Sequence, residues 1–249
     1  MSNSPGTPTR LLVGSEHPCG YLPGLRARSA FVDPSLLMLP AFYGRLLERG
    51  FRRSGRYVYR PLCRDCHACR PARIPVAEFK PDRAQRRCLH RNADLEMKLT
   101  PRLEEEHFQL YRAYLRARHA DGGMDPDDAE SFYEFFESAW SQTLFREIRS
   151  RADGQLYGVA VLDRIPGALS AVYTFFDPDE ARRSLGTYAI LREIDIARAN
   201  GQRYLYLGYW VPGSPKMDYK RRFRPLEILG HNGWQRLESD SVPPRWNPG

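Results

Sequence analysis

The order of strand-like and helix-like runs between residues 102 and 207 constrains the fold more than any other feature of this chain. Residues 144–148, 156–162 and 169–176 are three successive apolar, strand-like runs separated by turn residues, the spacing of a meander. Residues 186–199 then read as a helix that Asn200-Gly201 ends, and a fourth strand-like run fills 204–207. Two helices precede this block. The clearer one spans 102–119, where Leu103, Leu110, Tyr111, Tyr114 and Leu115 keep a helical stripe. Glu104, Glu105 and Glu106 sit in its first turns, where the macrodipole favours acids. The second, rich in Phe and Tyr, covers 129–140 after a Gly/Asp/Pro loop at 121–128. Helices covering a mostly antiparallel sheet make this an α+β layer.

Upstream, residues 40–49 predict a short helix with Phe42, Leu46 and Leu47 at helical spacing and Gly50 as its stop. Residues 55–60 alternate like a strand and end at Pro61. Residues 72–79 read as another strand, which Pro75 demotes to an edge or a bulged position. Arg83, Arg86, Arg87 and Arg91 recur three and four residues apart, so a helix there carries one basic face. Residues 95–99 alternate once more before Pro101. Pro101 is the predicted boundary between a basic N-terminal domain, 1–100, and a second domain, 101–249, whose Pro-rich tail from Ser239 is expected to be loose.

Charge follows the same division. Of the net +8, residues 1–100 hold 18 Lys/Arg against 8 Asp/Glu, and residues 101–249 hold 20 against 22. An Arg-rich, Lys-poor composition also arises from a GC-rich genome, but that bias does not segregate charge by position. A polyanion partner for the first hundred residues is the expectation. No run approaches the ~18 consecutive apolar residues of a membrane span, and Met1 to Arg10 lacks the apolar core of a signal peptide. The expected setting is cytoplasmic and soluble, with no membrane partner.

Three of the five cysteines fall within seven residues, Cys63, Cys66 and Cys69. Thiolates two residues apart in a turn can converge on zinc or an iron–sulfur cluster, with Cys19 as the best fourth ligand and His67 or Cys88 behind it. Ordinary reduced thiols are the other reading, and a lone cysteine nucleophile has no partner motif here. Disulfides do not fit a reducing compartment.

The element order of the second half resembles the GCN5-related acyltransferase fold. That resemblance implies an acyl donor at the N-terminus of the helix near 186, where free N–H groups favour phosphate. Its coenzyme A loop corresponds to residues 182–188, which keep Arg183 and Gly186 but carry Tyr188 where a small residue is needed. A bulky residue there is expected to exclude coenzyme A and invite a different acyl donor.

Specific strings go further: Cys19-Gly20-Tyr21-Leu22-Pro23, Gly50-Phe51-Arg52-Arg53-Ser54-Gly55, Tyr57-Val58-Tyr59-Arg60-Pro61, and the cysteine cluster running into Arg73-Ile74-Pro75-Val76. Phe79-Lys80-Pro81 with Gln85-Arg86-Arg87 follows, then Ser184-Leu185-Gly186, and Gly208-Tyr209-Trp210-Val211 with Lys216-Met217, Tyr219 and Lys220. Together they resemble the arginyl-tRNA–protein transferase family over about residues 15–235, most closely its bacterial branch, the aspartate/glutamate leucyltransferases. Leu22 and Ala68 stand where the eukaryotic arginyl relatives have cysteines, which favours the bacterial branch.

The resemblance implies transfer of leucine from Leu-tRNA to the α-amine of proteins beginning with Asp or Glu, a mark for N-degron proteolysis. An arginyl donor, or a non-catalytic tRNA-binding protein with a metal knuckle, are the alternatives. Ester aminolysis needs proximity and an oxyanion site, so no cofactor is required for the chemistry. Within this reading Arg73 holds the acidic acceptor side chain, with Tyr21 near the amine and Arg183 and Gly186 at the donor loop. Lys216, Tyr219 and Lys220 are the catalytic candidates. Arg83, Arg86, Arg87 and Arg91, with Arg52 and Arg53 as a second patch, are the candidates for the tRNA acceptor arm. Trp210 or Tyr209 could stack on its terminal base.

Overall fold

The computed structural model describes residues 9–118 and 125–238. The first eight residues, residues 119–124 with the first part of the loop expected at 121–128, and the tail from Ser239 lie outside the described residues. In chain order the strands are β1 Leu11–Val13, β2 His17–Pro18, β3 Arg26–Ala27, β4 Ser29–Val32, β5 Arg52–Ser54, β6 Tyr57–Pro61 and β7 Arg70–Pro75. Then come β8 Leu95–Thr100, β9 Gln142–Ser150, β10 Leu156–Ile165, β11 Ala168–Phe176, β12 Tyr204–Trp210, β13 Glu227–Gly230 and β14 Gly233–Arg236. The helices are α1 Pro40–Glu48, α2 Arg83–Arg91, α3 Glu105–Arg118, α4 Ala129–Phe136, α5 Leu185–Ala199 and the short α6 Pro215–Asp218.

The expected meander is present. β9, β10 and β11 pair antiparallel, and the β10–β11 hairpin turns at Gly167, whose φ of +75° suits glycine. They are the fifth to seventh strands of an eight-stranded mixed sheet in the order β14-β13-β7-β12-β11-β10-β9-β8. β10 is buried at nearly every position, because helices lie over both of its faces. On one face α2 and α5 pack over Ala160, Leu162, Ile74, Leu205 and Leu207. On the other, α3 and α4 set Phe108, Tyr111, Phe132 and Phe136 against Val159, Val161, Val172 and Phe175. α1 covers the far end of that second face with Tyr43, Leu46 and Leu47 on Ile165, Ala168 and Tyr206. A smaller sheet, β1-β4-β6-β5, packs beside α1.

Two expectations need correcting. β7 is an interior strand between β13 and β12, although it carries Pro75. β13 pairs with β7 only at Ala72 and Arg73, so Pro75 lies beyond that ladder and its missing N–H leaves no gap there. Pro101 also fails to separate two sheets. β7 and β8, from before it, hydrogen-bond to β12 and β9, from after it.

Arg53 is the clearest departure from a basic patch. It is 1% exposed and its guanidinium reaches the Asp163 carboxylate at 2.6 and 2.9 Å. It also donates to the Gly55 and Phe136 carbonyls, and Asp163 accepts from Ser141 and Thr143 as well. This satisfied pair pins β5 to β10 and to the end of α4, so Arg53 has no surface to offer a tRNA.

Candidate functional site: a cavity where two parallel strands part

β11 and β12 are the one parallel pair in the described sheet, and their register holds for three residues, Ala168 to Ser170 against Tyr204 to Tyr206. Beyond that point they diverge. β12 carries a bulge between Tyr206 and Gly208, and Gly208 has a φ of +71°. A Cβ on Gly208 would lie 2.9 Å from Arg52 Nη1. Glycine therefore leaves room for Arg52 to reach in from β5, where its Nη2 donates to the Val172 carbonyl at 2.8 Å. The guanidinium stands in the wedge between the strands.

A cavity of about 460 Å³ opens there, walled by β11 at residues 171–174, by Gly186 and Ile190 of α5, and by Leu207. Its remaining wall is the segment holding Lys216, Met217, Tyr219 and Lys220. The structure thus brings together Arg52, Tyr21, Gly186 and all three catalytic candidates. Lys216 and Tyr219 are exposed at the mouth, whereas Lys220 is only 3% exposed. Lys220 Nζ donates to the Tyr209 carbonyl at 2.5 Å and touches Met217 Sδ at 3.3 Å. Burial, aided by the Arg52 charge, pushes its pKa well below the usual lysine value. Burial pushes the Tyr21 phenol up to about 12, against the opposing pull of Arg52.

Gly20 and Tyr21 also border a second cavity, of about 350 Å³, lined by Cys19, Cys63, Cys66 and Cys69. Neither His67 nor Cys88 lines it. Burial first, then the neighbouring cysteines, pushes the Cys69 thiol up to about 12. The four sulfurs share one hollow, yet the described residues contain no group of three or more His, Cys, Asp or Glu arranged to hold a metal ion.

Around the N-terminus of α5 lies a third cavity, of about 240 Å³, which meets the first at Tyr219. Arg87, Arg91 and Arg222 border it beside Ser184 and Thr187. α2 is the helix the spacing predicted, started by a capping box between Asp82 and Gln85. Its Arg83, Arg86, Arg87 and Arg91 are all exposed, while Gln85 and Cys88 face inward. The basic face therefore runs up to the third cavity and so toward the wedge.

The chain matches the family model described as arginine-tRNA-protein transferase, C terminus, over residues 106–230, and its N-terminus counterpart over residues 17–87. The chain belongs to the arginine-tRNA-protein transferase family. It is 51% identical over 236 residues to the aspartate/glutamate leucyltransferase of Stenotrophomonas maltophilia K279a, spanning 93% of this chain and 94% of that protein. It is 50% identical to that of Pseudomonas fluorescens SBW25, over 89% and 94% of the two chains. With that of Saccharophagus degradans it shares 42% identity, over 90% and 95%. Among solved structures, L-PGS from Bacillus licheniformis is similar at a TM-score of 0.46 and 10% identity, over 72% of this chain and 52% of that one.

In this transferase-family chain, two substrate-binding candidates stand away from the wedge. Arg73 is buried, ion-paired to Glu227 at 2.7 Å and bonded to the Tyr206 hydroxyl at 3.3 Å. Its guanidinium also stacks on Tyr204 and Trp234, with 3.7 and 4.2 Å to the ring centroids. The fork that was to grip an acidic side chain is occupied, and it ties β7 to β13 and β12. Arg183 makes a bidentate pair with Asp94 at 3.0 Å and a further contact with Glu180, outside the cavity. Tyr188 does not stand over the N-terminus of α5 either. It is 3% exposed, packs in the core under that helix, and donates to the Leu95 carbonyl, so it gives no steric argument against a phosphate-bearing donor. Tyr209 and Trp210 are core residues, 1% and 4% exposed; Tyr209 borders the cysteine-lined cavity, and neither lines the wedge.

Gly208 entered the sequence reading only as part of a motif, and Arg222 carried no assigned role there. Gly208 follows the strand-like run expected at 204–207, and since β12 continues through it to Trp210, a glycine there is a bulge signal. Arg222, by contrast, sat in the basic run 220–222 and carried no signal beyond charge.

Proposed function

We propose that the chain moves leucine from Leu-tRNA to the N-terminal α-amine of proteins that begin with Asp or Glu, a cytoplasmic mark for N-degron proteolysis. The observation that carries this reading is 51% identity to an aspartate/glutamate leucyltransferase over 93% of the chain. The wedge adds a site of suitable make-up: an apolar wall of Ile190, Leu207 and Met217 for a leucyl side chain, with cations beside it. A helix N-terminus next to a gap between parallel strands is an acyltransferase-like arrangement, used here by aminoacyl-tRNA.

The reaction is aminolysis of an ester. The acceptor α-amine loses a proton and its nitrogen bonds to the leucyl carbonyl carbon. The tetrahedral oxyanion then collapses, the C–O bond to the ribose breaks, and the 3′ oxygen takes up a proton. The ester is already activated, so most of the acceleration comes from holding amine and ester together and from donors aimed at the oxyanion. Lys220, whose burial holds its pKa well below the usual lysine value, is the group to take the amine's proton. Tyr219 at the mouth donates to the ribose, and Lys216 faces the terminal phosphate. With Arg73 committed to Glu227, Arg52 is the cation left in the wedge for the acidic acceptor side chain. Arg83, Arg86, Arg87 and Arg91 hold the acceptor arm, and Arg222 and the first turn of α5 lead its end inward.

The test is direct transfer: purified protein, radiolabelled Leu-tRNA or Arg-tRNA, and model proteins starting with Asp, Glu or Ala. Leucine is expected on the Asp and Glu starts alone. Arginine in its place reassigns the donor. Tight tRNA binding without transfer of either removes the enzymatic reading.

A further inference from the structure

Glu193 is 0% exposed on α5, and neither of its carboxyl oxygens has a hydrogen-bond partner among the described residues. A carboxyl buried in that state is costly to the free protein. A native fold keeps such a group where something from outside completes it, or where it has a chemical role.

The position of Glu193 says what would complete it. Gly186, Ile190 and Glu193 fall at i, i+4 and i+7, on one stripe of α5. The first two line the wedge cavity. Helical side chains lean back toward the helix N-terminus, so the long Glu193 side chain covers the turn that holds Ile190. Its carboxyl lies within electrostatic reach of Tyr219, at the cavity's mouth. Arg52, Lys216 and Lys220 line that cavity, and among the described residues no carboxylate does. A positively charged substrate group entering the wedge therefore meets basic side chains but no acid in its lining, and the nearest carboxyl on the α5 stripe is that of Glu193, which lies behind the lining.

We propose that Glu193 is the carboxylate that receives a primary α-ammonium group of a substrate in the wedge. The assignment rests on the transfer reading, in which each substrate brings one such group: the leucyl amine of the donor and the N-terminal amine of the acceptor. Burial pushes the free carboxyl up to about 8, so it is mostly protonated near neutral pH, and against the arriving ammonium it ionises with its proton released to water.

Equilibrium binding tests this without turnover. One pair of probes is a CCA trinucleotide carrying leucine through a non-hydrolysable 3′-amide and the same molecule with hydrogen in place of the amine. The other pair is a peptide beginning with Asp and its N-acetylated form. In at least one pair the wild-type protein is expected to favour the amine-bearing probe by about tenfold or more, the range of a charged hydrogen bond. Glu193→Gln is expected to shrink that preference to about twofold while melting no lower than wild type, since it removes an unpartnered buried acid. The pair that responds names the ammonium. A preference in neither pair, or one that Glu193→Gln leaves intact, overturns the assignment. If Glu193→Gln does not fold, Glu193→Asp, which withdraws the carboxyl by one methylene, is read by the same criterion. Loss of discrimination in a protein that shows no transfer would refute the transfer reading and leave Glu193 as an ammonium site.

Discussion

Two arginine groups that look alike as text end in opposite places. Arg83, Arg86, Arg87 and Arg91 stand on the exposed face of α2, and none of them makes an ion pair among the described residues. Arg52 and Arg53 are neighbours on β5, where successive side chains point to opposite faces. One enters the wedge between β11 and β12 and the other a sealed pair with Asp163. A basic helix face is readable from spacing because the helix has an outside. A basic strand residue is readable only when its partner is known, and Asp163 lies 110 positions away.

The contrast can be broken by substitution. Arg53→Ala strands the Asp163 carboxylate in the core and is expected to cost about 3–5 kcal/mol, measured by urea unfolding. If instead Arg53→Ala weakened tRNA binding at unchanged stability, the buried-pair assignment would be wrong. Arg73→Ala is expected to destabilise by about 2–3 kcal/mol, because Glu227 loses its partner while keeping some water. Its preference for Asp over Ala acceptors, read as a ratio of kcat/KM values, should stay at the wild-type figure. A selective loss of acidic acceptors would return Arg73 to the site. Arg86→Ala and Arg87→Ala should leave stability within about 0.5 kcal/mol. Each is expected to lower tRNA affinity whatever the sequence and to flatten the slope of log K against log salt by about 0.7–0.9. An unchanged salt slope would remove α2 from the acceptor-arm surface.

A smaller effect concerns Lys220. Its pKa is lowered on folding by burial and by Arg52, with Cys69 opposing, so between its folded and unfolded pKa values the unfolded chain holds the extra proton. Stability carried by Lys220 is therefore present above about pH 10.4, the unfolded lysine value, and is lost as pH falls toward the folded one. Lys220→Met is expected to be more stable than wild type at pH 7, with the gap closing as pH rises to about 10. A gap independent of pH would mean that Lys220 is charged in the fold.

Much of the fold was legible because it is local. The β9–β10–β11 meander, α5 and the capped α2 follow from periodicity and turn residues, and the segment 216–220 came from its motif. The wedge was not legible as a place. It depends on the bulge at Gly208, on Arg52 crossing from another sheet, and on β7 joining β12 across 130 residues of chain. Tyr188 was misread for the same reason, since a loop motif does not say which way a side chain points. Glu193 was visible throughout as an acid on the apolar stripe of a helix. Its burial without a partner appears only once the layers close over it.

The most direct test of the wedge as the transfer site is to load the tRNA with photo-leucine, whose diazirine reacts with whatever surrounds the side chain. Irradiation of the complex followed by peptide mapping should place the cross-links at Ile190, Leu207 and residues 171–174 and 216–220. Cross-links confined to the cavity of Cys19, Cys63, Cys66 and Cys69, or to the α1 side of the sheet, would contradict it.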